Sequence, residues 1–180
     1  MKHAIELLVH GHESKQSGTR LRGGIDRGVV RRDPMAMKPF CGYNYGDYWR
    51  HWLSFEDKAS NLPRIYNVNW FRKDGQGRFI WPGFGENMRV IDWILRRCQG
   101  AADARDTAIG QLPYPEDFNL SGIGTTQAAL QELLEVDAPA WRRELEEIGR
   151  YLDQYGDRTP FALREEQRTV AEALSTPTAI

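Results

Sequence analysis

The sequence predicts a mixed α/β fold, α+β in arrangement, with a short β-hairpin and several packed helices. Three observations carry this. In the second half, apolar residues recur at alternating steps of three and four, the period of helices with one buried face. Between Arg64 and Trp81 the pattern changes to short aromatic and β-branched runs on either side of a glycine-rich turn. Of the 180 residues, 41% are hydrophobic and 27% charged, a globular balance with enough apolar content for one core.

Residues 1 to 27 differ in texture: glycine-rich, polar and basic, with His3, His10 and His12. No cysteine or carboxylate pattern joins these imidazoles, so the stretch reads as a solvated, poorly ordered terminus rather than a metal site. "VVRRDPMAMKPF" begins as a short strand and turns at its prolines. "CGYNYGDYWRHWLSF" places Tyr45, Tyr48, Trp49, Trp52 and Leu53 at helical spacing, so one face of a short helix is aromatic. "EDKASNLP" is small, polar and ends in proline, the composition of a loop that can move.

"RIYNVNWF" and "RFIW" read as strands about the turn "KDGQG". A "PGFG" turn then feeds a helix, "ENMRVIDWILRRCQG", with Met88, Ile91, Leu95 and Cys98 on one stripe and Gly100 as its stop. "AIGQLPYPEDFNLSGIG" is loop with at most a short strand. Three helices close the chain. They are "TTQAALQELLE", a longer one with Trp141, Leu145, Ile148, Leu152 and Tyr155 on its apolar stripe, and "PFALREEQRTVAEAL", with Thr159 as cap and Pro160 at the first helical position.

Composition also excludes partners. Lys plus Arg number 24 against 25 Asp plus Glu, a net charge of -1, which offers no footprint for nucleic acid. No apolar run approaches the ~20 residues of a membrane helix, and the start lacks a cleavable leader pattern, so the expectation is a cytoplasmic protein with no membrane partner. The two cysteines, Cys41 and Cys98, stand in no metal-ligand spacing and read as buried thiols.

The stretch from Trp70 to Asn87, "WFRKDGQGRFIWPGFGEN", interleaves five aromatic rings with four glycines. Rings supply faces for a planar ligand, glycines let backbone approach it, and the Asn87 amide offers both a donor and an acceptor to its edge. The same rings also suit plain core packing, and the residues alone leave both readings open. Phosphate chemistry is represented only by absence: neither G-x-x-x-x-G-K-[ST] nor a post-strand G-x-G-x-x-G occurs. Ser54 or Cys41 beside His51 has the residue types of an activated nucleophile but no third, orienting group.

"RRDPMAMKPFCGYNYGDYWRHWL" followed by "NVNWFRKDGQGRFIWPGFGENMRVIDWIL" strongly resembles the C-terminal region of GTP-dependent phosphoenolpyruvate carboxykinase. The resemblance runs from about Val29 to about Tyr155 and more loosely beyond. It implies the C-terminal part of that enzyme's nucleotide-binding lobe. In this reading residues 1–27 are an extension unlike the family, 28–155 the guanine-binding segment with a lid loop, and 156–180 a C-terminal helix and tail.

By resemblance, Phe71, Phe79 and Phe84 surround a guanine ring, Asn87 recognises its edge and Trp70 lies beside the pocket. The lid is Ser54, Phe55, Glu56, Asp57, Lys58, Ala59, Ser60, Asn61, Leu62 and Pro63, closing over a reactive enolate. The implied ligands are GTP and GDP, with manganese or magnesium in an enzyme that is usually monomeric. The implied reaction converts oxaloacetate and GTP into phosphoenolpyruvate, GDP and carbon dioxide. Family members are several times longer, and their phosphate loop, metal ligands and substrate-binding arginines have no counterpart here. The chain is therefore expected to be a truncated or displaced piece, inactive alone, with an exposed face where the rest would pack.

Overall fold

The computed structural model describes residues 32–34 and 37–175. The readings for residues 1–27, with their three histidines, and for the Val29–Val30 strand lie outside the described residues. Among those described, the elements run α1 (Tyr45–Leu53), α2 (Asn87–Cys98), β1 (Arg105–Thr107), β2 (Gly110–Leu112), α3 (Gln127–Leu133), α4 (Ala138–Asp153) and α5 (Phe161–Ala173), joined by short 3-10 turns. The mixed α and β class expected from the sequence is the one observed. The chain divides into two compact units, Met1–Asn67 with Pro139–Ile180, and Val68–Ala138.

In the first unit α1 starts at Asn44, whose side chain accepts from the Gly46 amide at 2.8 Å and satisfies an otherwise orphan donor. Asp47 in its first turn and Arg50 and His51 in its last complement the helix dipole. Its aromatic face divides: Tyr45 and Trp49 are buried, while Trp52 is exposed. Trp49 meets Tyr155 at 4.8 Å and Tyr151 at 6.0 Å, both edge-on, and the Lys38 ammonium lies 5.1 Å from the Tyr151 ring centre.

Of the stripe expected on α4, Leu145, Ile148 and Leu152 are buried and joined by Tyr151, whereas Trp141 is half-buried and Tyr155, also half-buried, falls past the helix end. Leu163 of α5 completes this core. Gln167 donates to the Leu145 carbonyl at 2.8 Å and Arg164 to that of Gly149 at 3.1 Å, pinning α5 along α4. At the start of the described chain, Arg32 is tied to Glu144 at 2.8 Å and Glu147 at 3.0 Å. One cap differs from expectation. The Thr159 hydroxyl donates to the Leu152 carbonyl at 2.8 Å, so Pro160 takes the cap position and α5 begins at Phe161.

In the second unit the ribbon around "KDGQG" forms, but not as two strands. Its ladder consists of one bridge, Lys73 with Phe79, plus bonds from Asp74 N to Arg78 O and from Ile80 N to Arg72 O. Asn69 diverts the Phe71 amide at 2.9 Å, and Pro82 has no amide to give, so pairing stops on both sides. The regular sheet lies elsewhere: β1 and β2 pair antiparallel with Arg105 opposite Leu112.

Helix α2 also departs from its pattern. Met88, Ile91, Leu95 and Cys98 are all exposed, whereas Trp93 is buried. The polar side faces the unit because Arg89, Arg96 and Arg97 donate to the carbonyls of Asn119, Ser121, Asp117 and Ala102, which have no ladder of their own. Gly100, with φ of 74°, ends the helix as expected. Neither thiol is buried, against expectation: Cys41 is half-buried and Cys98 exposed.

Candidate functional site

Three local devices lay out Trp70 to Asn87. The Asp74 carboxylate accepts from the amides of Gln76 and Arg78, each at 2.9 Å, and closes the turn with Gly77 at φ of 78°. The backbone bond from Arg78 N, first, and the Arg78 side chain hold the Asp74 carboxyl below its ordinary pKa. After Pro82, Gly83 adopts φ of 126°, a conformation that side chains rarely tolerate, and turns the chain into the 3-10 segment Phe84–Glu86 and on into α2. Glu86 and Arg89 then pair at 2.6 Å.

The ribbon brings Phe71 and Phe79 together, centroids 6.2 Å apart and planes at 65°. They touch edge to face and do not flank a gap, because a flat ring inserted between them needs parallel walls about 7 Å apart, twice a carbon contact distance. Lys73 places its ammonium 4.9 Å from the Phe79 ring centre. Phe84 stands clear: it is 91% exposed and makes no ring contact among the described residues. A phenyl left so bare at the tip of a constrained turn offers an open face for stacking. Trp70 packs on Trp81, centroids 6.0 Å apart.

Asn87 is the first residue of α2 and half-buried. Its Oδ1 accepts from the Trp81 indole Nε1–H at 2.9 Å. Trp81 escaped the sequence reading, although one signal was there: a tryptophan directly before the proline of the turn, six residues ahead of the amide. Among the described residues, Phe71 pairs with Phe79, and Trp70, Trp81 and Asn87 form a second chain of contacts, with Phe84 in neither.

Ser54 to Pro63 belong to the other unit. Ser54 to Lys58 continue α1 as turns, with Phe55 O accepting from Lys58 N and Ala59 N at 3.1 Å; Ser60 to Pro63 are exposed chain. The Ser54 hydroxyl donates to the His51 carbonyl at 2.7 Å and Cys41 Sγ to Tyr43 O at 3.6 Å. Neither meets the imidazole, so the nucleophile reading finds no geometry. Among the described residues no three His, Cys, Asp or Glu side chains are grouped to hold a metal ion, so they do not fit the manganese or magnesium that the resemblance implies. Nor is any described helix long and apolar enough to cross a membrane.

This stretch thus presents an aromatic ribbon, a bare phenyl and an amide held by an indole. The family model described as the phosphoenolpyruvate carboxykinase C-terminal P-loop domain matches residues 13–173, and the chain belongs to that family. It is 49% identical over 148 residues to a protein of Chlamydia muridarum named phosphoenolpyruvate carboxykinase (GTP), an alignment covering 82% of this chain and 25% of that relative. Proteins of the same name from Chlamydia pneumoniae and Treponema pallidum (strain Nichols) are 50% and 45% identical, each over 77% of this chain and 24% and 23% of their own lengths. The chain thus spans about a quarter of the curated relatives it matches.

Proposed function

We propose that this chain carries the guanine-binding element of a GTP-dependent phosphoenolpyruvate carboxykinase acting in the cytoplasm. The observation that carries the reading is Phe84, bare at the head of a turn whose next helix opens with Asn87. The base lies on the open face of Phe84, the Phe71–Phe79 pair supplies a wall rather than the two sides of a slot, and Asn87 donates to the purine edge. Trp70 lies beside the pocket and packs on Trp81, the partner of Asn87. The full reaction proposed by kinship is oxaloacetate and GTP to phosphoenolpyruvate, GDP and carbon dioxide, with Ser54 to Pro63 as the lid. A divalent metal belongs to that reaction, and the described residues are assigned no part in holding it.

Stacking contributes on the order of 1–3 kcal/mol per base, which alone corresponds to millimolar affinity at best. This chain by itself therefore binds GTP weakly and does not turn over oxaloacetate. The test is nuclear magnetic resonance titration with GTP, GDP and ATP to several millimolar. Guanine nucleotides should move the resonances of Phe71, Phe79, Phe84 and Asn87, with ATP moving them much less; no shift with any nucleotide would remove the reading.

A second reading is a non-catalytic module that docks on carboxykinase polypeptide. The exposed Met88 and Leu95 on α2 favour it. Capture of an intact carboxykinase by this chain, lost on Leu95→Lys, would support it, and no capture would dismiss it.

A further inference from the structure

The geometry points to Trp81 as the positioning residue that decides which edge of the Asn87 amide a ligand meets. This rests on the base-binding reading above and adds to it the origin of selectivity at one purine position. An indole nitrogen can only donate, so the atom it touches at 2.9 Å must be the Asn87 oxygen, whichever way the amide is drawn. The donor is itself immobile. Trp81 is 3% exposed, packs on Trp70 at 6.0 Å, and is followed by Pro82 and the left-handed Gly83 that return the chain to Asn87. With Oδ1 turned to the indole, the amide is fixed in orientation and presents on its other side the Nδ2 hydrogens, which have no protein acceptor among the described residues.

A fixed NH2 is a one-sided reader. It bonds the 6-oxo group of guanine or hypoxanthine and meets the 6-amino group of adenine donor against donor. An asparagine free to rotate would accept either edge equally well, because its oxygen and nitrogen exchange places at little cost. Selectivity then resides in a buried tryptophan that need not touch the ligand, and the amide supplies only the hydrogen bond.

The experiment titrates the full chain with GTP, ITP and ATP by nuclear magnetic resonance, and repeats it with inosine and adenosine, which have no phosphates. The wild-type chain should prefer the 6-oxo purines by about tenfold. Trp81→Phe keeps a ring and removes the donor; it should bring the preference within about twofold while GTP affinity falls only a few-fold. An unchanged preference in folded Trp81→Phe overturns the proposal and leaves the base-binding reading intact. Failure of every purine to bind wild type overturns both.

Should Trp81→Phe not fold, the wild-type indole hydrogen decides. It should exchange far more slowly than that of exposed Trp52, and Asn87→Asp, which turns an acceptor outward beside an unchanged Trp81, should move the inosine–adenosine preference toward adenosine. Fast exchange at Trp81, or no movement in Asn87→Asp, would equally overturn it.

Discussion

Gly46 lies so close to Arg158 that a Cβ built on it would stand 2.3 Å from the Arg158 carbonyl oxygen. Arg50 donates to the same carbonyl at 3.2 Å, and the Arg158 guanidinium pairs with Asp47. The first turn of α1 is therefore seated directly on the backbone ahead of α5. Gly46→Ala should destabilise the first unit by about 1–3 kcal/mol, because the obstacle is backbone and cannot rotate away. Gly42→Ala, with nothing within 4 Å of its added carbon, is the control and should stay within about 0.5 kcal/mol in urea denaturation.

Phe84 and Leu163 separate binding from stability. Phe84→Ala should change stability by no more than about 0.5 kcal/mol, since the ring is 91% exposed, yet abolish the response to GTP. Leu163→Ala, at a position 1% exposed, should cost about 2–5 kcal/mol. A large loss of stability on removing Phe84 would mean that the ring packs in solution and is not held out for a ligand.

Tyr45 ties the first unit's stability to alkaline pH. Burial, first, and then the neighbouring Tyr48 push its phenol up to about 12, while its hydroxyl donates to the Pro34 carbonyl at 3.0 Å. Burial and the Tyr155 hydroxyl push Tyr151 up as well. The unfolded phenol ionises near 10 and the folded one later, so stability is fully present below about pH 10 and is lost as pH rises through about 12. Urea midpoints measured from pH 9 to pH 11.5 should fall more steeply for wild type than for Tyr45→Phe, and parallel curves would count against the buried phenol as the cause.

Asp74 holds the aromatic ribbon. Asp74→Ala removes the acceptor for the amides of Gln76 and Arg78 and the partner of the Arg78 side chain. The Phe71–Phe79 contact should loosen, visible as lost ring-current shifts, and the GTP response should weaken with little change in the global unfolding midpoint. Because the folded carboxyl titrates below its ordinary pKa, wild type should keep the same contact at neutral pH and lose it only as pH falls below the ordinary carboxylate range.

Much of this molecule is written in local pattern. The α4 stripe, the Thr126 cap that accepts from Ala129 N at 3.2 Å, the Asp74 turn and the Gly100 stop all follow from the spacing and chemistry of a few neighbouring residues. The orientation of α2 does not. Its apolar stripe predicts the inward face, but unpaired carbonyls at Ala102, Asp117, Asn119 and Ser121 draw the arginine side inward instead. Those carbonyls lie in loops whose paths no window of sequence defines. The β1–β2 pair is only partly legible for a related reason: the sequence allows a short strand where β2 lies but gives no sign of β1, since "RDT" and "GQL" carry too few β-branched or aromatic residues to stand out.

The sequence by itself determined the family, the residues of the aromatic ribbon, the turn that folds it and the amide six residues beyond Trp81. Tertiary structure alone decided that Phe71 and Phe79 meet edge to face, that Phe84 stays bare and that the Asn87 oxygen faces Trp81. The physical reason is range. Turn and helix preferences arise between neighbours along the chain, whereas ring angle, exposure and the choice of amide edge depend on what the folded backbone brings within a few ångströms.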